Sequence, residues 1–173
     1  MTSGDENNIN TPSSSHDSEP SPSHSLLSAS DIRSEEDCEL SFVKRLDLSG
    51  TSIGSNGTQF IASALIHNIT LEELDLSNCH IGPSGFNAIA ELIEKNNTIK
   101  RINLHGNLCT SEASKQLSRA LQTGDHHLIS LDISCCHLTS CGMSSLNLAV
   151  QSVNENRLLS PHQPKLEMIT YGN

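Results

Sequence analysis

Leu71-Glu-Glu-Leu74-Asp-Leu76-Ser-Asn-Cys79 is the most regular of four related stretches. Val43-Lys-Arg-Leu46-Asp-Leu48-Ser-Gly-Thr51 precedes it; Ile99-Lys-Arg-Ile102-Asn-Leu104-His-Gly-Asn107 and Leu128-Ile-Ser-Leu131-Asp-Ile133-Ser-Cys-Cys136 follow. Their first residues, 43, 71, 99 and 128, stand 28 or 29 positions apart. Self-similarity at that period predicts a solenoid in which each unit buries its apolar face against its neighbours. Apolar residues at the first, fourth and sixth positions, with polar ones between, predict a short strand with two faces.

A helix is predicted after each strand. Ile61, Ile89, Leu117 and Leu146 fall at one level of these helices, and Leu65, Ile93, Leu121 and Val150 four residues later at another, so both levels share a helical face. Ala64, Leu92, Ala120 and Ala149 lie between them as further packing positions. An apolar residue (Ile53, Ile81, Cys109, Leu138) follows each strand, and then a turn containing Gly57, Gly85 or Gly142. Glycine there is expected to free the backbone at the helix entry. Ala113 in the third unit predicts a different turn.

The second unit reads Leu71-x-x-Leu74-Asp-Leu76-Ser-x-Cys79-x-Ile81-Gly-x-x-Gly85, then a helix, then Asn96-Asn-Thr98. Over about residues 40–157 this pattern resembles the ribonuclease-inhibitor class of leucine-rich repeats. That class includes ribonuclease inhibitor, the recognition tails of NOD-like receptors, the Ran GTPase-activating protein, and cytoplasmic and ciliary scaffold proteins. The resemblance implies an α/β fold: a short leucine-rich repeat solenoid, a right-handed β-α superhelix with parallel strands on the concave face and helices on the convex face. It also implies a ninth position, here Thr51, Cys79, Asn107 and Cys136, whose side chain bonds backbone groups of neighbouring turns. It transfers no catalytic residue.

Outside the repeats the sequence is less regular. Residues 1–30 are a Ser-rich acidic tail with almost nothing to bury, expected to be disordered. Residues 31–42 carry helix-start signals and are expected to cap the array, residues 43–157 form four repeats, and residues 158–173 form a C-terminal tail or a partial fifth repeat. Leu166 to Asn173 reads either as the opening of a fifth strand segment or as an edge strand. Of the 173 residues, 10 are Lys or Arg and 20 are Asp or Glu, a net charge of -10 that argues against nucleic-acid binding. No stretch of the sequence reads as a signal peptide or a membrane span, and the expected compartment is the cytoplasm, with cilium or flagellum implied by the resemblance alone. Six cysteines are then expected as free thiols, and the Asn-x-Ser/Thr triplets at Asn56, Asn68 and Asn96 as incidental.

Alternation across the strands sets three polar columns on the concave face. The first is Arg45, Glu73, Arg101 and Ser130; the second is Asp47, Asp75, Asn103 and Asp132; the third is Ser49, Ser77, His105 and Ser134. The expected protein-binding residues among them are Arg45, Asp47, Glu73, Asp75, Arg101, Asn103, His105 and Asp132. Two readings weigh equally: charges that pair with each other and keep the sheet soluble, or a polar docking surface. Cys135, Cys136, His137 and Cys141 invite a zinc reading, but CxxC spacing is missing. No metal ligand, cofactor or catalytic residue is expected. The function expected is a non-catalytic protein-protein interaction module, a scaffold or adaptor, that self-associates through its ends or binds another protein. The alternative is a regulatory subunit or fragment of a GTPase-activating or NOD-like receptor type protein.

Overall fold

The computed structural model describes residues 43–159 and 162–173. The tail expected over 1–30 and the cap expected over 31–42 lie outside these residues. The elements run β1 (Arg45–Asp47), α1 (Gly54–Leu65), β2 (Glu73–Asp75), α2 (Pro83–Lys95), β3 (Arg101–Asn103), α3 (Ser111–Thr123), β4 (Ser130–Asp132), α4 (Ser140–Leu158) and β5 (Glu167–Ile169). The five strands form one parallel sheet in sequence order. Leu46, Leu74, Ile102, Leu131 and Met168 lie abreast. None of the described helices is long and apolar enough to cross a membrane.

Strand and helix bury their apolar faces against each other. Leu74, Leu76, Ile102, Leu104, Leu131 and Ile133 from the sheet are shielded from solvent, as are Ile89, Ile93, Leu117, Leu121 and Leu146 from the helices. Ile61, Leu65 and Val150, at the two ends of the helical row, are half-buried. Ala64 departs from expectation and is exposed, whereas Ala120 and Ala149 are buried. The α2/α3 groove explains this, because Ala120 lines it from the side facing the preceding helix. Ala64 occupies the same side of α1, which no described helix precedes.

The glycines at the helix entries act through space rather than through backbone freedom. Gly85 and Gly142 lie inside α2 and α4 at an ordinary negative φ. A Cβ on Gly85 would collide with the Ile81 side chain, and one on Gly142 would stand 2.5 Å from Ser114 Oγ. The Ala113 turn matches that of Gly142 and differs from those of α1 and α2, whose N-caps make no side-chain hydrogen bond. The Ala113 N–H donates to the Thr110 hydroxyl at 3.4 Å, as the Gly142 N–H donates to that of Thr139 at 3.1 Å, the same N-cap arrangement.

Consecutive turns are tied together at the ninth position. Asn107 Oδ1 accepts from the N–H groups of Cys79 (3.1 Å) and Ile81 (2.9 Å), and its Nδ2 donates to the carbonyls of Leu76 (2.9 Å) and Leu104 (2.8 Å). The cysteine thiols reach back one turn: Cys79 Sγ donates to Leu48 O at 3.0 Å and Cys136 Sγ to Leu104 O at 3.1 Å. Asn173 repeats the work of Asn107, accepting from Cys136 N–H at 2.6 Å and donating to Ile133 O at 3.0 Å. The segment after α4 thus carries both the strand and the asparagine of a fifth unit. Its leucine, Leu166, pairs one position later than the other first-position residues, because Met168 stands opposite Leu131.

The helix-to-strand turns have their own closers. Asn68 Oδ1 accepts from Thr70 N–H (2.9 Å) and Leu71 N–H (2.7 Å), and Asn96 Oδ1 from Thr98 N–H (2.8 Å) and Ile99 N–H (3.0 Å). Asn96 Nδ2 also donates to Leu65 O (2.9 Å) and Asn68 O (2.8 Å) of the preceding turn. Two of the Asn-x-Thr triplets are therefore structural.

In the last unit this task falls to His126 and Arg157. The buried Arg157 guanidinium donates to the carbonyls of Leu128 (2.8 Å), Pro164 (2.9 Å) and His126 (3.1 Å) and approaches His126 Nδ1 at 3.3 Å. His126 Nδ1 also accepts from Leu128 N–H at 3.3 Å, so it carries no proton, and Nε2–H donates to Leu121 O at 2.9 Å. The ring is neutral. Burial, and then the Arg157 charge, hold its pKa below the ordinary histidine value.

Two outcomes are expected. Asn107→Ala strips four buried backbone groups of their partner and should cost about 2–4 kcal/mol in urea unfolding; a loss under about 1 kcal/mol would contradict the tie between turns. His126, neutral when folded, leaves the unfolded chain to take up the proton. Stability should therefore fall as pH drops through about 6.5. His126→Gln should flatten that slope, and an unchanged slope would assign it to other groups.

Candidate functional site

The three polar columns of the sheet come from β1 to β4 in the register just described. Glu73 stands between Arg45 and Arg101, paired with Arg45 at 3.8 Å and bonded by Arg101 through Nε at 3.0 Å and through Nη2. One residue earlier the same alternation recurs, Glu72 meeting Lys44 at 3.1 Å and Lys100 at 2.8 Å. Lys100 and then Lys44 hold the Glu72 carboxyl below its ordinary pKa. Each glutamate serves two cations, so the charges on these strands are mutually engaged.

The second column has a structural duty that the sequence reading did not assign. Asp75 Oδ1 accepts from Ser77 N–H (3.0 Å) and Ser77 Oγ (2.7 Å), and Asp132 Oδ1 from Ser134 N–H (2.9 Å) and Ser134 Oγ (2.6 Å). Asp47 and Asn103 bond the amides of Ser49 and His105 in the same way, each at 3.0 Å. These are Asx-type turns that close the strand end. Ser49, through its hydroxyl and then its amide, with Arg45 as a smaller contributor, holds Asp47 below the usual carboxylate pKa. Repulsion between neighbours is met locally as well, since Asn103 Nδ2 donates to Asp75 Oδ2 at 3.0 Å.

His105 Nδ1 lies 2.8 Å from Ser134 Oγ, so the Ser134 hydroxyl is shared between His105 and Asp132. Ser134 is buried, and its single hydroxyl proton is held among these neighbours. The cysteines are placed differently. Burial pushes the Cys109 thiol up to about 12 and the Cys136 thiol up to about 11, which disfavours the thiolate that metal binding requires. Among the described residues no group of three or more His, Cys, Asp or Glu side chains could hold a metal ion. His80 and His137, with Asn78 and Cys135, adopt a left-handed backbone with φ of 54° to 56°. Histidine and asparagine are among the residues that tolerate this region best.

A groove of about 220 Å³ runs along the sheet, lined by Arg45, Glu73, Asp75, Arg101, Asn103, Ser130 and Asp132 together with the apolar Leu74, Ile102 and Ile169. Of the eight residues singled out from the sequence, it gathers six. Asp47 and His105 lie in the same columns outside its lining. Ile169 was missed, and so was Tyr171, which is 80 % exposed. In the β5 register they continue the second and third columns. The signal was present in the sequence: counting back from Asn173 as the ninth residue makes Tyr171 the seventh and Ile169 the fifth.

A family model described as a leucine-rich repeat matches residues 39–62, 67–90 and 124–146, three of the four strand-helix units. The chain is a leucine-rich repeat protein. Its strands and helices alternate in an α/β solenoid, consistent with the ribonuclease-inhibitor-like class. Among solved structures, leiomodin-1 actin-binding site 2 matches with a TM-score of 0.58 at 20 % identity, covering 75 % of this chain and 70 % of that one. The tropomodulin C-terminal domain of Caenorhabditis elegans matches with a TM-score of 0.61 at 14 % identity, covering 75 % and 74 % respectively. No curated protein matches the sequence.

Within this leucine-rich repeat array, the ladder and the Asx column should respond differently to mutation. Glu73→Gln should cost no more than about 1 kcal/mol, and the difference should vanish at about 1 M salt, where exposed pairs are screened. Asp75→Ala should cost about 1–2 kcal/mol at any salt, because the buried Ser77 loses its acceptor. Urea midpoints at low and high salt check both. Equal, salt-sensitive losses would mean that Asp75 acts only as a charge.

Proposed function

We propose that this leucine-rich repeat array is a non-catalytic protein-interaction module whose partner docks on the sheet face. The observation that carries this reading is the groove itself. It is an open trough on a five-stranded sheet, with charged and polar side chains beside the apolar Leu74, Ile102 and Ile169. Leu74, Ile102 and Leu131 are themselves buried, so the exposed side chains between them can vary without uncovering the core. The buried thiols of Cys79, Cys109 and Cys136 fit a reducing compartment such as the cytoplasm.

Actin is the first partner to test, because the leiomodin-1 domain that shares the fold is titled an actin-binding site. The likeness in fold carries no residue across, so the test must locate the contact as well as detect it. Arg101→Ser together with Glu167→Ser alters the sheet face, and Glu94→Ser together with Arg119→Ser alters the convex α2/α3 groove by the same charges. Binding of the full chain to actin, or to any partner recovered with it, should weaken about tenfold or more in the first pair and stay within about twofold in the second. Greater loss from the convex pair would overturn the docking face.

A further inference from the structure

The sheet face divides into two electrostatic halves. On β1 to β3 the charges are engaged: Glu73 with Arg45 and Arg101, Glu72 with Lys44 and Lys100, and Asp75 Oδ2 with Asn103. On β4 and β5 they are not. Asp132 uses Oδ1 for the Ser134 turn, and its Oδ2 has no partner among the described residues. Glu167 is exposed and forms no ion pair among them. The first column alternates as Arg45, Glu73 and Arg101 and then breaks at Ser130, so the strand neighbour that stands opposite Glu167 carries no charge.

Beside these two carboxylates the polar columns change character. The second column ends in Ile169, which lines the groove with Asp132, and the third ends in the exposed Tyr171. Apolar side chains next to unpaired carboxylates form a surface that water serves poorly and a cation with an apolar neighbour serves well. A cation can meet Asp132 or Glu167 while its methylene stem or a flanking apolar side chain covers Ile169, and the Tyr171 ring, four residues beyond Glu167, offers a second contact for a neighbouring basic or apolar side chain. Tyrosine is also among the residues enriched at binding hot spots.

We infer that the β4-β5 end of the sheet is the energetic centre of the docking face and accepts a partner segment carrying a lysine or arginine beside an apolar residue. This rests on the interaction-module reading above and narrows it to one chemistry and two of the five strands.

The test uses the full ¹⁵N-labelled chain and two N-acetylated, C-amidated peptides, one built of Leu-Lys-Ser units and one of Leu-Glu-Ser units. The lysine peptide should shift the amides of Asp132, Glu167, Ile169 and Tyr171, and its affinity should fall about tenfold or more from low salt to about 0.3 M. Asp132→Asn with Glu167→Gln should abolish the response. Asn keeps the Oδ1 acceptor for Ser134, so this variant retains its turn. Tyr171→Ala should weaken binding about threefold to tenfold. An equal response to the glutamate peptide, no shifts at millimolar peptide, or shifts confined to β1-β3 would overturn the inference. The last of these would leave the sheet as the docking face, whereas shifts confined to the helices would count against that reading too.

Discussion

Backbone polar groups in the buried turns between strand and helix have no water to bond, and the ninth-position side chain supplies what water cannot. Asn107 satisfies Cys79 and Ile81 N–H and two carbonyls from one position. Its effect is to join one unit to the next, because three of those four groups belong to the preceding unit. The thiols of Cys79 and Cys136 continue the chain of bonds, and Asn173 closes it at β5. Strands only three residues long cannot hold a sheet by their ladders alone; the turns hold the register, and the register fixes the polar columns.

That dependence explains which parts of the structure were legible beforehand. The spacing of Leu71, Leu74 and Leu76 and its three echoes carry the strand positions, the parallel order and the inward face, since period and alternation are local. Roles set by side-chain contact were less legible. Gly85 was expected to free the backbone and instead leaves room for Ile81; Asp75, expected either to pair or to dock, also closes its own turn on Ser77. The Arg157-His126 pin spans 31 residues and has no equivalent in the other units, so no period announces it. Asn68 and Asn96 carried a glycosylation-like pattern whose structural meaning appears only when their partners are known.

On the proposed reading, rigidity and recognition are divided between the two ends of the sheet. Where the side chains satisfy one another, as around Glu73, a partner would have to break existing bonds to form new ones, and exposed pairs exchange with little net gain. Where they do not, around Asp132, Glu167 and Tyr171, the same scaffold presents fixed groups with spare capacity. The exposed convex face has its own trough between α2 and α3, of about 330 Å³, with Glu91 and Glu94 opposite Arg119. Glu91 there is bonded to Lys95 at 2.5 Å.

Native-state hydrogen exchange tests the linkage of turns most directly. If ninth-position side chains bind the units into one cooperative body, the amides of Cys79, Ile81 and Cys136 exchange only by global unfolding. Their opening free energies should then equal that of the buried strand residues Leu74 and Ile102 and shift with them in denaturant. Exchange of these three amides through local opening, independent of denaturant while Leu74 and Ile102 stay protected, would contradict it.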